Sequence, residues 1–429
     1  MCGFEPKRVF QFFKTNPIMS YWRQAFTDWN TLFFEELRTI FRDLGVLIFF
    51  FIVPLGYPLL YTFIYTNEVV REVPIVVVDD CRSTQSREYV RHLDATPDVK
   101  VVSYAANMSE ARKLIKHRDA YGAVYIPRDF SLRLHRGEQV KVSAYADMSG
   151  MLYYKSVLTA NTNVSLALNA QIKLQRAGGA TAEQQKVLEH PIAYEEVSLF
   201  NPQNGFATFL IPAVLILIIQ QTLLLGVGMA AGTAREHNRF RNLVGFERQH
   251  TGLLRIVWSK SLAYLLVYIP ISVYVLGVVP HLFRLNQIGN PFDMALFIVP
   301  FLIACIFFAM TVSVVIRHRE ACIVLIVFTS VPLLFISGIS WPGSAVPPFW
   351  QAVSFLFPST FGIRGFVAIN NMGAPLADVR EYWNMLWVQA VVYCFTTTCV
   401  VYRVHIIRAR RRTIDSWNSV KNSRRSVQS

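Results

Sequence analysis

Charge is scarce in this 429-residue chain: Asp, Glu, Lys and Arg together make up 16% of it. Soluble domains usually carry about 25%, so the composition argues against an ordinary cytosolic enzyme and equally against disorder. Cysteine is also sparse, with six residues and no Cys-x-x-Cys spacing, which excludes a disulfide scaffold and a zinc ribbon. No glycine is followed by lysine, so the chain has no phosphate-binding loop of the Gly-x-x-x-x-Gly-Lys-Ser/Thr kind. Neither His-Glu-x-x-His nor Gly-x-Ser-x-Gly occurs, and no histidines pair at metal-ligand spacing. Gly226-x-Gly228-x-x-Ala231 imitates a dinucleotide fingerprint, but it lies within an apolar run with no strand before it. Gly228 and Gly232, four apart, favour close helix packing in lipid instead. The Asp79–Asp80 pair reads as a solvated strand end near a helix cap, with cation binding as the other option.

Hydrophobic residues, at 53%, are what the chain has in excess. Crossing a bilayer core of roughly 30 Å takes about 20 apolar residues. Six runs approach or reach that length without an interior ionisable residue: Gly45–Thr66, Phe206–Ala234, Ser261–Pro280, Met294–Ile316, Ala321–Trp341 and Met385–Tyr402. A seventh patch, Pro342–Ile363, is interrupted by Pro342, Pro347, Pro348 and Pro358 and reads as a re-entrant segment. The first 43 residues are charged and aromatic, so no cleavable signal peptide is expected. Trp22, Phe26, Trp29, Phe33, Leu37, Ile40 and Leu44 recur at helical spacing there, which predicts an amphipathic helix in the membrane interface.

Lysine and arginine set the orientation. Segments 1–43, 235–260, 317–320 and 403–429 hold 22 basic residues against nine acids, a balance of +13. Segment 67–205 holds 17 against 16, and the two remaining connections balance at zero. The expected arrangement therefore has both termini cytoplasmic, a coupling loop at 235–260, a basic cytoplasmic tail at 403–429, and segment 67–205 outside. Within that segment, strand-like runs at Val73–Val78, Val99–Tyr104, Tyr121–Ile126 and Val140–Tyr145 alternate with helical runs. The pattern predicts an α/β domain with a mixed sheet, with Ser83 and Ser109 as helix caps. The fold class is thus a polytopic α-helical membrane protein of six transmembrane helices plus a re-entrant segment, carrying an inserted α/β extracytoplasmic domain. Span one occupies 44–66, and the other five form a bundle over 206–402.

Without charged groups in the spans, relays of the kind ion-coupled pumps use are disfavoured. What the spans offer is uncharged polarity: Gln220, Gln221 and Thr222; Tyr268 and Ser272; Thr329 and Ser330; and Thr396–Thr398. Each group lines a path for an amphipathic substrate or makes an interhelical hydrogen bond.

The order of elements resembles the membrane subunit of type-2 ABC exporters, in the variant with a long extracytoplasmic insertion after span one. The stretches "VPIVVVDD", "LFNPQNGFATFLIPAVLILIIQQTLLLGVGMAAGTARE" and "SGISWPGSAVPPFWQAVSFLFPSTFGIRGFVAINNMGAPLADV" carry the similarity. The resemblance implies a permease without ATPase motifs of its own, binding no cofactor, with ATP and Mg on a separate ATP-binding subunit. It further implies a second permease chain, homo- or heterodimeric, and a coupling helix between spans two and three. Residues for docking there are Glu236, Arg239, Arg241, Phe246 and Glu247, although "HNRFRNLVGFERQHTGLL" departs from the family's usual acidic-glycine-threonine-leucine pattern. The expected activity is export of a hydrophobic or amphipathic, drug- or lipid-like molecule across a bacterial inner membrane, with a possible periplasmic adaptor and no nucleic acid. The competing expectation is a membrane-anchored extracytoplasmic binding or sensor protein.

Overall fold

The computed structural model describes residues 17–177, 199–202, 205–236, 252–313, 316 and 318–402. Contacts divide the chain into two units, Met1–Thr66 with Gly205–Ser429, and Asn67–Asn204.

The first unit is helical. Helix α1, Pro17–Arg42, is amphipathic and ends next to Asp43. The Asp43 carboxylate accepts hydrogen bonds from the Gly45 and Val46 amides, and so starts α2, Leu44–Ile64. Helix α7, Phe206–Glu236, is the longest among the described residues at 31 residues, and its most apolar stretch is wholly buried. Its even burial follows from composition, because a helix that is apolar all round belongs in a core. Around it pack α2, α9 (Pro291–Val312), α10 (Ala321–Ile336) and α12 (Pro358–Met372). Helix α8, Leu254–Leu282, lies against α1 and α9, and α13, Arg380–Thr396, against α9 and α12.

Four helices are long and apolar enough to cross a membrane among the described residues: α2, α7, α8 and α9. A fifth arises if α11 (Pro348–Ser354) and α12, bent by 88° across a short break, count as one span. The run from Ala321 was expected to stay helical to Trp341, yet it stops at Ile336. Gly338 turns the chain with φ +92°, and Pro342 follows. Sixteen helical residues rise about 24 Å, short of the hydrocarbon thickness. The re-entrant region starts helices at Pro348 and Pro358, where a missing amide costs nothing, and the second helix runs past Ile363 to Met372.

The second unit carries β1 (Val73–Asp79), α3 (Thr84–Asp94), β2 (Val99–Tyr104), α4 (Met108–His117), β3 (Gly122–Ile126), α5 (Phe130–Arg136), β4 (Ser143–Ala146) and α6 (Met151–Ala177). The sheet order is β2-β1-β3-β4, with β1 parallel to β2 and β3, and β4 antiparallel on the edge. Val73, Ile75 and Val77 face a core with α3, α5 and α6, while Val76 and Val78 face α4. Strand β1 is therefore buried on both sides, as its unbroken apolar run requires. Ser83 caps α3 through a reciprocal bond with Ser86. Asn107, and not Ser109, caps α4: its side chain accepts the Glu110 amide at 2.9 Å while Glu110 accepts that of Ala106 at 2.8 Å. The Asp79 carboxylate is engaged by the Cys81 and Arg82 amides and the Ser86 hydroxyl, and Asp80 accepts from Tyr125. Both acids thus serve the strand end. Among the described residues no three His, Cys, Asp or Glu side chains group for a metal.

Candidate coupling site and buried polar belt

A ladder of polar contacts joins α1 to α8. Lys260 Nζ lies 2.6 Å from Glu36 Oε2, and the Tyr264 hydroxyl donates to the other carboxylate oxygen. Below them, Ser259 donates to the Trp29 carbonyl at 2.9 Å and Arg255 reaches Asp28 at 3.5 Å. Arg255 with Ser259, and Lys260 with Tyr264, are pairs four residues apart, so two adjoining strips of α8 present these contacts to α1. The buried side of α1 is Leu32, Glu36 and Ile40. It is offset from the aromatic stripe: Phe26 and Leu44 are exposed, while Trp29 and Phe33 are half-buried. Phe26, Trp29 and Phe33 stack along the helix at 6.1 and 5.6 Å between rings. The Trp22 side chain lies outside the described residues.

A second node forms around Asp43. Its carboxylate accepts Arg319 Nη2 at 2.7 Å and the Thr233 hydroxyl at 2.9 Å, in addition to the two α2 amides. Burial pushes this carboxyl up, but the Thr233 hydroxyl, the Arg319 charge and the Val46 amide outweigh it and hold it below the usual carboxylate range. Glu236, at the end of α7, accepts the Arg319 backbone amide at 3.2 Å. Arg235 donates to the Ser313 carbonyl at 2.8 Å and to that of Ile316. Gly232 makes this approach possible: a Cβ there would lie 3.1 Å from the Arg319 Cα. At Gly228 it would collide with the Cys322 thiol. Of the five docking candidates, Glu236 is thus in a defined network, while Arg239, Arg241, Phe246 and Glu247 lie outside the described residues.

Midway along α7 lies a belt of uncharged polar groups. Gln220, 1% exposed, accepts the Ser359 amide at 2.6 Å, capping α12. The α11–α12 break is held from α13, where Gln389 donates to the Phe355 carbonyl at 2.7 Å and Tyr393 to that of Leu356. Thr222 donates within its own helix and accepts the Tyr268 hydroxyl at 3.1 Å, joining α7 to α8. Thr311 likewise joins α9 to Thr396 and Thr397. Gln220 Nε2, both polar atoms of Gln221, Ser272 Oγ, Ser359 Oγ and Gln389 Oε1 are buried with no partner among the described residues. Thr329 and Ser330 are half-buried and donate to carbonyls three residues back in α10. They are not drawn into the Gln220 contacts.

These features belong to a helical membrane protein with an ordered polar network near the end of α7. A family model described as ABC-2 family transporter protein matches residues 44–397. The chain belongs to this family. Its members are the membrane permease component of ABC transporters, which makes the chain a multi-pass membrane protein and implies an ABC ATP-binding partner. No curated protein matches the sequence. The matched range opens at Leu44, so the α1 ladder is added to the matched region of this ABC-2 chain. Sequence reasoning missed Glu36, Asp43, Lys260 and Arg319. The signal in the sequence is the acids Asp28, Glu36 and Asp43, which lie off the aromatic stripe of α1.

Proposed function

We propose that this ABC-2 chain is the permease of an ATP-driven exporter for a hydrophobic or amphipathic molecule, crossing a bacterial inner membrane six times. Both termini and the 235–260 loop are cytoplasmic, and residues 67–205 lie outside. The fifth and sixth crossings are α10, extended by the Gly338 turn, and α13 with its continuation, while α11 and α12 re-enter from the outer side. Two such chains, identical or related, sit on two ATP-binding subunits that carry the nucleotide and Mg.

One observation carries the mechanism: Asp43 contacts α2, Thr233 of α7 and Arg319, while Arg319 also donates to Glu236 where the loop leaves α7. Closure of the ATP-binding subunits displaces the loop through Glu236 and the docking residues Arg239, Arg241, Phe246 and Glu247. The node passes that displacement to α2, and the Glu36–Lys260 ladder passes it to the interfacial helix. Gln220, Gln221, Thr222, Thr329 and Ser330 supply polarity for the substrate path between the second and fifth spans, α7 and α10. The six apolar runs carry no charged group in their interiors, which favours a cargo with little formal charge to desolvate. An outer adaptor receives it.

The test is purification from native membranes followed by nucleotide-dependent transport of hydrophobic dyes in vesicles. The reading requires an ATP-binding subunit to accompany the chain; its absence, together with the absence of ATP-dependent dye movement, would overturn it. Topology is tested separately by thiol labelling, since Cys81 is free and half-buried. A membrane-impermeant maleimide should label it in intact spheroplasts.

A further inference from the structure

The α/β unit holds a cleft of about 430 Å³ on the helical face of its sheet, between α3, α5 and α6. The volume lies within the roughly 300–1,000 Å³ of small-molecule sites. It exists because α5 is only seven residues long, and because α6 outruns the sheet. Val157, Ala160 and Val164 bury against the strands, whereas Leu168 and Ile172, further along α6, remain half-buried along the cleft.

Three features of the wall narrow its occupant. Apolar surface comes from Phe130, Leu134, Val142, Leu168 and Ile172. It is interleaved with the amides of Gln85, Asn169 and Gln171 and the hydroxyls of Ser143 and Ser165. The side chains of Asn169 and Gln171 make no hydrogen bond among the described residues. Second, residues 140–142, which lead into edge strand β4 and line the cleft, make no backbone–backbone hydrogen bond among the described residues. A ligand without amide groups would bury those donors and acceptors unpaired, at a cost of about 1–3 kcal/mol each. Third, the cleft carries one acid and one base with spare charge. Among the described residues, Glu88 has one charged neighbour, His92 at 4.0 Å, and Lys141 has no ion pair.

We propose that this cleft binds a short apolar peptide with free termini. Its backbone pairs with residues 140–142 in the manner of strand addition, its side chains lie on Phe130, Leu168 and Ile172, and Lys141 and Glu88 hold its carboxylate and ammonium ends. The alternating amides of the wall complement peptide groups, which both donate and accept. The site goes beyond the export reading and does not depend on it, because binding requires neither ATP nor the partner subunit.

The experiment uses the full chain in lipid nanodiscs with a synthetic tripeptide of leucine, photoleucine and phenylalanine. Mass spectrometry then maps the photolabel. Saturable labelling confined to segments 130–143 and 165–172 is expected, falling at least tenfold in Asn169→Trp, which fills the cleft from an exposed position. Lys141→Glu, also at an exposed position, should lower it similarly, and capping both peptide termini should do the same in the unchanged chain. Labelling unaffected by both substitutions overturns the proposal. So does saturable labelling of the cleft by a diazirine-bearing dodecanoic acid when the tripeptide gives none, since the occupant would then be a lipid-like chain.

Discussion

Glu36 and Lys260 retain side-chain exposures of 9% and 15%, so their attraction operates with little water between them. Breaking such a pair leaves a charge without its partner, whereas replacing both ends by apolar groups removes the need for either. Glu36→Ala should therefore lower the stability of the detergent-solubilised protein by about 2–3 kcal/mol, less than a fully enclosed pair loses. The double variant Glu36→Leu/Lys260→Met should recover most of that. Thermal unfolding of the four members of the cycle checks it, and a double variant as weak as the single would refute the account. Asp43 gives the pH counterpart. Its carboxyl is held below the ordinary value of 3.8, so the stabilisation is present above that value and is lost as pH falls through the lowered one. Asp43→Asn should consequently weaken the protein at neutral pH, and the two proteins should converge in strong acid. The acids stand out by spacing, but their partners are not legible in the sequence. Periodicity reports which face of a helix is apolar, but Glu36 meets Lys260 across 224 positions and Asp43 meets Arg319 across 276.

Elements were more legible than contacts, because their signals are local. Pro348 and Pro358 mark helix starts, and the Val-rich run of β1 marks a strand covered on both faces. Where two caps compete within three residues, as Asn107 and Ser109 do, composition does not decide; Asn107 accepts the Glu110 amide while the Glu110 carboxylate accepts that of Ala106 just before the cap. The helix end at Ile336 escaped notice because hydropathy ignores the backbone, and Gly338 breaks the helix without breaking the apolar run. Gly228 and Gly232, read as a packing pair, do bring α7 close to residues 316–322. Gly232 makes the sharper test. A methyl there would sit 3.1 and 3.2 Å from the Arg319 Cα and N, backbone atoms that cannot rotate aside. Gly232→Ala should destabilise by about 1–3 kcal/mol despite the better helix propensity of alanine. Gly56, in α2, has nothing within 4 Å of the corresponding position, so Gly56→Ala should be neutral or stabilising by up to about 1 kcal/mol. Denaturation of the two variants side by side distinguishes packing from propensity, and equal effects would refute the seam.

For the whole molecule, the net charge of +14 has a spatial meaning that composition alone conceals. Nearly all of it falls in segments assigned by the proposed topology to the cytoplasmic side, which marks orientation and a docking surface. The residues that organise that end are few. Arg319 holds Asp43 through its side chain and Glu236 through its backbone amide, so its two contacts are chemically separable. Arg319→Ala keeps the amide and removes the guanidinium. If the ATP-binding subunit docks on the 235–260 loop and the node only transmits its movement, this variant should still co-purify with that subunit in full amount. ATP hydrolysis should persist at its basal rate, while dye transport should fall about tenfold, equivalent to about 1.4 kcal/mol of lost coupling. Loss of co-purification would instead place Arg319 in the docking surface. Equal losses of transport and hydrolysis would show that the node serves assembly, and transmission through Asp43 would have to be abandoned. Arg319→Lys sharpens the outcome: a lysine restores one charge but not the reach of Nη2 to Asp43, so partial recovery is expected if charge alone sustains the link.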